Sequence, residues 1–430
     1  MTRPLRDFPS LSDLEMSGRA FPQQIGNLLR SPMAMMPLWI VAGTALYTLG
    51  WSRLFEPFRL DTLAFLAIAA LLFVALATTS RMEVDARPGA SLDRWALTVI
   101  GVYFVGAYIE NGGIPVIQIA TGDDYDVYGF GVDGLHIFML CFTGFYGVRA
   151  WHVFLTRGGM WNLAALAGIG GLLLSIGNRS AFSFLVFACA VVFVRLRRIS
   201  APVWAGVILA AIIFAFGFGK FGDFRLSYQI EQATGEPGAP DAVLALARAT
   251  DGFRESGLSP SWLWTYMYFA SPLANLNSAF NLSGGRPCGQ ECDVSAALVY
   301  DVLPDVIGVR LGAILGIADP ATTDFLVAPN LTASTAFGTA VVAAGAVGGM
   351  MTLAFLAALG VMSARLLRDS PAGEVGMAIL ATVIFFCFFE NMLVYTPLLG
   401  QLAFPLALAG YSRVRRRTRA QPPESALHPK

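Results

Sequence analysis

Ten apolar segments, most of them close in length to the thickness of a bilayer and the last one short, constrain the fold of this chain more than any other feature. A helix needs roughly 20 apolar residues to cross a membrane. The chain is 56% hydrophobic and 13% charged, whereas an ordinary soluble domain is about 25% charged. We therefore predict an all-α, polytopic integral membrane protein with about ten transmembrane helices. The segments lie near residues 33–50, 60–79, 95–111, 134–155, 161–177, 180–196, 202–219, 338–364, 375–395 and 398–412.

Arginines gather in alternate connections between these segments and predict the orientation of the chain. Short cytoplasmic loops carry an excess of basic residues, and with ten helices all the arginine-rich loops fall on one side, together with both termini. The predicted organisation is a cytoplasmic tail over 1–32, transmembrane helices 1–7 over 33–219, a large loop on the outer face over 220–335, helices 8–10 over 336–412 and a basic cytoplasmic tail over 413–430.

The interval 220–335 is the one long polar stretch between apolar segments. Its aromatic run 262–269 is rich in Trp and Tyr, which settle at the lipid headgroups; stacking on sugars is the alternative. The stretch 294–317 mixes apolar residues with charges, which predicts an amphipathic helix on the bilayer surface. Cys288 and Cys292 predict a small disulfide in an oxidising compartment.

Three arginines are candidates for binding an anion. Arg179 stands in the turn 177–180 between two apolar segments, where a guanidinium needs water or a charge partner. Its planar fork suits a phosphate or a carboxylate, and snorkelling to headgroups is the structural alternative. Arg225, just after the seventh segment, and Arg254 in the long loop are further candidates; solvated surface charges are the alternative for both.

Four side chains are candidates for a general base, and each has a structural alternative. Glu390 lies in an aromatic run near the end of the ninth segment, and Glu110 ends the third. A carboxylate in such a setting suggests function, or it neutralises an arginine. His136 opens the fourth segment, where it can relay a proton or serve packing, and Asp223 lies beside Arg225.

Several function classes find no support in the sequence. Metal binding is not indicated, because no His lies near the cysteine pair to complete a ligand set. No phosphate-binding or dinucleotide-binding glycine motif appears. The net charge of zero gives no electrostatic reason to expect nucleic acid as a partner.

Five short motifs, taken in order, resemble the oligosaccharide repeat-unit polymerases (Wzy-type O-antigen polymerases). The motifs are Asn-Gly-Gly-Ile-Pro-Val at 111–116, Gly-Val-Asp-Gly-Leu-His at 131–136, Gly-Asn-Arg-Ser at 177–180, Tyr-Phe-Ala-Ser-Pro-Leu-Ala-Asn at 268–275 and the glycine-bearing stretch 335–348. The resemblance covers most of the chain from about residue 100 to about residue 400.

This resemblance implies a glycosyltransferase of the bacterial inner membrane with a large periplasmic loop. Such enzymes transfer a growing glycan from undecaprenyl diphosphate to the next lipid-linked repeat unit. They need no metal or cofactor, and a chain-length regulator is an expected partner. Arg179 matches the family's arginine in its turn, and His136 matches its histidine. Asp133 replaces an expected proline, and Asn178 replaces a residue that is more often small.

Three other functions compete with the polymerase. An O-antigen ligase uses the same donor with a different acceptor and has a similar layout. A transporter or flippase for a lipid-linked sugar favours internal repeats and charges near the membrane midplane. Here the charges gather at one face and no repeat is visible. A purely structural scaffold would not require Arg179 and Glu390 in such apolar settings.

Overall fold

The prediction of an all-α protein is confirmed. The computed structural model describes residues 30–79, 92–121, 129–197, 201–234, 242–284, 292–320 and 323–420. It is 75% helical, and the described part contains no strand. An isolated antiparallel bridge joins Ser52 to Ala249. Most of the predicted N-terminal tail and the last ten residues lie outside the described residues.

Helices follow one another along the described part of the chain. The first half contains α1 (Met35–Tyr47, preceded by a 3-10 turn over Pro32–Ala34), α2 (Leu60–Thr79), α3 (Arg94–Glu110), α4 (Pro115–Thr121), α5 (Leu135–Arg157), α6 (Met160–Ser175), α7 (Arg179–Leu196) and α8 (Ala201–Thr234). The second half contains α9 (Ala242–Leu246), α10 (Asp251–Glu255), α11 (Pro260–Leu282), α12 (Val294–Asp301), α13 (Asp305–Leu315), α14 (Gly338–Leu367), α15 (Gly373–Phe386), α16 (Thr396–Leu399) and α17 (Ala403–Ala420).

Every predicted membrane segment contains a helix, and three described helices are long and apolar enough to cross a membrane. These three are α2, α5 and α14, while α1, α6, α7 and α15 are shorter apolar helices. The chain is therefore a membrane-associated protein by its apolar helices, and ten complete crossings stay a prediction. The ninth predicted segment, 375–395, stops being helical at Phe386. The tenth continues as α17 into the predicted basic tail.

Helices α7 and α15 run antiparallel through the interior of the bundle. At one end, Arg195 Nε lies 2.7 Å from Glu374 Oε2, and both side chains are at least nine-tenths buried. At the other end, the ring of Phe184 packs edge-on against Phe386 with the centroids 4.7 Å apart. The apolar end of this pair leads directly to the candidate site.

The interval 220–335 is more deeply packed than its polarity predicts. Helix α8 runs through the predicted seventh segment and on to Thr234. Helix α11 packs closely on it: a Cβ at Gly219 would lie 2.0 Å from the Ser261 carbonyl oxygen. The rings of Trp264 and Tyr266 are buried. Neither ring is available to headgroups or sugars, so for these two residues the prediction of a surface anchor is wrong.

Asn275 of α11 fastens a non-helical segment to the bundle. Its Nδ2 donates to the carbonyl oxygens of Leu331 at 2.6 Å and Ala333 at 2.7 Å, and its Oδ1 accepts from the Val327 N–H at 2.8 Å. The side chain is fully buried. Because three backbone groups of one segment depend on one amide, this asparagine determines how the segment approaches α14.

The predicted surface helix over 294–317 is two helices, α12 and α13, separated at residues 302–304. Pro304 precedes the first residue of α13, and a proline lacks the N–H that a continuous helix needs. Helix α14 is also interrupted, because Gly345 has a φ of 58°. Cys292 is disulfide-bonded, and Cys288 lies outside the described residues.

Candidate functional site

The predicted tight reversal between α6 and α7 is confirmed. Gly177 adopts a φ of +70°, which a residue with a side chain rarely tolerates. Asn178 then caps α7, with its Oδ1 accepting from the Ala181 N–H at 3.0 Å and from the Ser180 hydroxyl at 2.7 Å. Arg179 is the first residue of α7, and its side chain is outside the described part of the structure.

Tyr395, immediately before α16, meets this turn from a distant part of the chain. Its hydroxyl lies 3.2 Å from the Ser180 hydroxyl, and Asn178 also hydrogen-bonds it. Its ring packs edge-on against Phe184. Burial raises the pKa of Tyr395 above its usual range, so this phenol stays protonated near neutral pH and can donate a hydrogen bond.

Glu390 lies four residues beyond the end of α15, in a non-helical segment. Its backbone N–H still bonds to the Phe386 carbonyl at 3.2 Å. The carboxylate is open to solvent on one side. Partial burial against the surrounding protein raises the pKa of Glu390, and the negative charge of the Asp305 carboxylate raises it further. Tyr395 also interacts electrostatically with Glu390. We refer to Glu390, Tyr395, Asn178, Ser180 and Asp305 as the Glu390 cluster.

Hydrogen bonds to α12 and α13 hold the segment that carries Glu390. Asn391 Nδ2 donates to the Asp301 carbonyl oxygen at 2.7 Å, and the Asp305 N–H donates to the Val394 carbonyl at 3.0 Å. Asp301 itself is buried, and the Thr339 hydroxyl donates to its carboxylate. Burial raises the pKa of Asp301 to about 6. These backbone-directed bonds hold the chain immediately after Glu390.

His136 belongs to a second group, between α3 and the N-terminal end of α5. Its Nδ1 lies 2.9 Å from the Tyr103 hydroxyl, and the Phe130 ring packs edge-on against the imidazole. Glu110 is exposed at the end of α3 and interacts electrostatically with Tyr103. From the same helix, the Tyr108 hydroxyl bonds to Ser175, which stands three residues before Asn178. The two groups therefore lie at the same end of α6.

The remaining predicted residues lie elsewhere or are not described in full. The Ser261 hydroxyl donates to Asp223, whose second carboxylate oxygen is buried without a partner among the described residues. Arg254 is exposed, with its Nε 3.4 Å from the Ala249 carbonyl. The side chain of Arg225 is outside the described part. No described contact joins Asp223 or Arg254 to Glu390.

Sequence reasoning missed Tyr395 and gave Asp305 no part in the site. Tyr395 meets Ser180 across 215 positions, and neither residue type carries a local signal of chemistry. The place of Tyr395 in the site follows from the packing of the turn 177–180 against the segment after α15.

No group of three or more His, Cys, Asp or Glu side chains in the described part of the chain is arranged to hold a metal ion. Comparisons with protein-family models, with curated proteins and with solved structures find no match to this chain. The likeness to the repeat-unit polymerases therefore depends on the sequence motifs alone.

Proposed function

We propose that this chain is a membrane glycosyltransferase that polymerises undecaprenyl-diphosphate-linked oligosaccharide units into O-antigen or exopolysaccharide. The single observation that supports it best is the Glu390 cluster. A carboxylate with a raised pKa lies near the start of an 18-residue helix, α7, whose first residue is Arg179. A base and a phosphate-binding element at one place are what transfer from a lipid diphosphate requires.

In the proposed chemistry, Glu390 activates the acceptor hydroxyl and the start of α7 binds the leaving diphosphate. The acceptor hydroxyl attacks the anomeric carbon, the bond from that carbon to the diphosphate oxygen breaks, and the hydroxyl proton passes to a base. Glu390 is the proposed base, since a carboxylate of raised pKa accepts a proton more readily. His136, Glu110 and Asp223 are the alternatives that the sequence left open.

The leaving diphosphate gains negative charge and needs positive partners. The N-terminus of a helix carries partial positive charge and free N–H groups, and Arg179 adds a full charge at that end of α7. Tyr395 and Ser180 can donate hydrogen bonds beside it. In this proposal the reaction is metal-independent and uses no cofactor, with Arg225 and Arg254 as further arginines for the lipid diphosphate.

The proposed location is the periplasmic face of the bacterial inner membrane, with ten transmembrane helices and both termini cytoplasmic. The positions of charge along α7 and α15 support this orientation. Arg195 and Glu374 lie at the end next to the arginine-rich connections, and the Glu390 cluster lies at the opposite end. A chain-length regulator is the proposed protein partner.

The test is polymerisation by purified protein in detergent with its own lipid-linked repeat unit. We expect a ladder of lengthening glycans from the wild type and none from Glu390→Gln or Arg179→Ala. Glu255→Gln, at an exposed glutamate of α10, is the matched control and should keep the ladder. Activity should fall on the acid side as Glu390 becomes protonated, at a pH above the usual range for glutamate.

The outcomes separate the competing functions. A ladder that survives Glu390→Gln would keep the polymerase and move the base to His136, Glu110 or Asp223. Transfer of a preformed glycan to a different acceptor, with no ladder, would identify a ligase. Movement of the lipid-linked sugar across the membrane of vesicles that contain the protein, without glycan transfer, would identify a flippase and refute the proposed glycosyltransferase.

A further inference from the structure

Helix α13 presents an apolar surface that no described residue covers. Two glycines fix its orientation against α12: a Cβ at Gly308 would lie 2.3 Å from the Val299 carbonyl oxygen, and one at Gly312 would lie 2.1 Å from the Tyr300 hydroxyl. The opposite surface carries the exposed aliphatic side chains of Val306, Ile307 and Ile314. Val309, at the edge of that surface, and Leu315, at the C-terminal end of the helix, are also exposed.

Arg310 stands in the middle of this apolar surface. On a helix, positions three and four apart share a face, which places Arg310 between Ile307 and Ile314. The exposed fractions of these two isoleucines are 53% and 80%. Arg310 is also exposed, and its guanidinium makes no ion pair or hydrogen bond with any described residue. A lone cation within an aliphatic surface is the complement of a phospholipid, which joins a phosphate to hydrocarbon.

The depth of the α12–α13 pair in the membrane follows from its contact with α14. Ala297 of α12 packs against Ala343 and Ala344, and the Asp293 N–H donates to the Ala343 carbonyl at 3.0 Å. A helix crosses the hydrocarbon in roughly 20 residues. Counting that number back from Arg365, near the other end of α14, reaches Gly345. The contact therefore lies where hydrocarbon gives way to headgroups.

We propose that α13 lies in the boundary layer of the bilayer, with its aliphatic face among the acyl chains and Arg310 on a phospholipid phosphate. Helix α12 is held by α14 through Ala297, and its exposed apolar side chains are Val294 and Leu298. This differs from a single surface helix over 294–317, since the proposed phosphate contact belongs to α13 alone. The proposal stands apart from the glycosyltransferase and would hold for a protein of any activity.

The test is spin-label accessibility of the full chain in nanodiscs of phosphatidylethanolamine and phosphatidylglycerol. Labels are attached to Ile307→Cys and Ile314→Cys, and collision rates are measured with oxygen, which enters lipid, and with a nickel chelate, which stays in water. Leu71→Cys, at an exposed position of α2, is the lipid-facing control, and Glu255→Cys is the water-facing control. Labelled wild type gives the background from the native cysteines.

We expect the oxygen-to-nickel ratio at both α13 positions to match the Leu71 label rather than the Glu255 label. A ratio like that of Glu255 would place the face in water and overturn the proposal. Low collision rates with both reagents would show a protein cover, such as a second copy, and would overturn it equally. Elution as a single species of wild-type size in gel filtration verifies that each labelled variant is folded.

The phosphate contact has its own test in the same preparation. Arg310→Leu removes the charge and should move the Ile314 label deeper, which raises its oxygen-to-nickel ratio. Arg310→Lys keeps a charge near the phosphate and should leave the ratio unchanged. An unchanged ratio in Arg310→Leu would overturn the phosphate contact.

Discussion

Removing one partner of the buried pair Arg195–Glu374 should destabilise the protein severely, whereas removing both should not. Arg195 Nε and Nη2 face the two carboxylate oxygens of Glu374 at 2.7 and 3.4 Å, and Nη1 donates to the Arg30 carbonyl. The exposed fractions of the two side chains are 5% and 8%. His152, which interacts electrostatically with Glu374, is also buried.

The magnitude follows from the geometry and from the cost of dehydration. At 2.7 Å, two unit charges attract by about 6 kcal/mol at an effective dielectric constant of about 20. Taking both ions out of water costs several kcal/mol for each, so the intact pair contributes little net stability. Losing one partner leaves the other charge buried and unpaired, which costs about 3–5 kcal/mol. Replacing both with apolar side chains of similar size should cost much less.

The assay is a double-mutant cycle with Arg195→Met, Glu374→Met and the double variant. The free energy of unfolding is measured by circular dichroism in mixed micelles with increasing denaturing detergent. We expect each single variant to lose about 3–5 kcal/mol and the double variant to recover most of that loss. Single losses under about 1 kcal/mol, the value for solvent-exposed pairs, would refute the buried environment described for α7 and α15.

Three further predictions concern packing, titration and the support of the site. Gly219→Ala should cost about 1–3 kcal/mol or more, because the new methyl meets the Ser261 carbonyl at 2.0 Å; Gly206→Ala in the same helix, with no atom within 4 Å, should be tolerated in the same unfolding assay. The pKa of Asp301 rises from 3.8 to about 6 on folding, so the native state holds the proton more tightly, and the stability this gives is lost between about pH 4 and pH 6. The free energy of unfolding of Asp301→Asn, measured relative to wild type, should therefore rise by about 3 kcal/mol between pH 4 and pH 7. A difference that does not change with pH would show that the carboxyl is hydrated. Asn275→Ala should lower the free energy of unfolding by at least about 3 kcal/mol, because three backbone groups lose their partner. The variant should also be cleaved more readily at residues 327–333 in limited proteolysis, and mass spectrometry identifies the fragments. Asn281→Ala, at an exposed position, is the control.

Local patterns in the sequence were enough for the helical class and for the membrane character. Apolar runs of bilayer length persist along the chain whatever the helices pack against, so segments such as 60–79 and 134–155 coincide closely with α2 and α5. The turn 177–180 was also predictable, because a 36-residue apolar run is too long for one crossing. These features depend on neighbours in sequence.

Long-range packing determined which side chains of the polar interval 220–335 are buried. The aromatic run 262–269 has the composition of a membrane-surface anchor, yet Trp264 is buried because α11 lies against α8, where Gly219 permits close approach. Tyr266 is buried against the rings of Trp51 and Phe55, between α1 and α2. The sequence cannot show which helix will cover a given face. That choice depends on the shape and free energy of the whole bundle.

The site itself combines both kinds of information. Arg179, Glu390 and His136 were recognisable from the sequence. A charged or titratable group at the end of an apolar run costs free energy, so its presence there suggests a function. The grouping of these residues was not recognisable: Tyr395 reaches Ser180, and Asp305 reaches the Glu390 segment, through contacts between residues far apart in the chain. The sequence alone determined which charged and titratable side chains stand in apolar segments. The tertiary structure decided which of them share one environment, because electrostatic interactions and hydrogen bonds depend on distance in space.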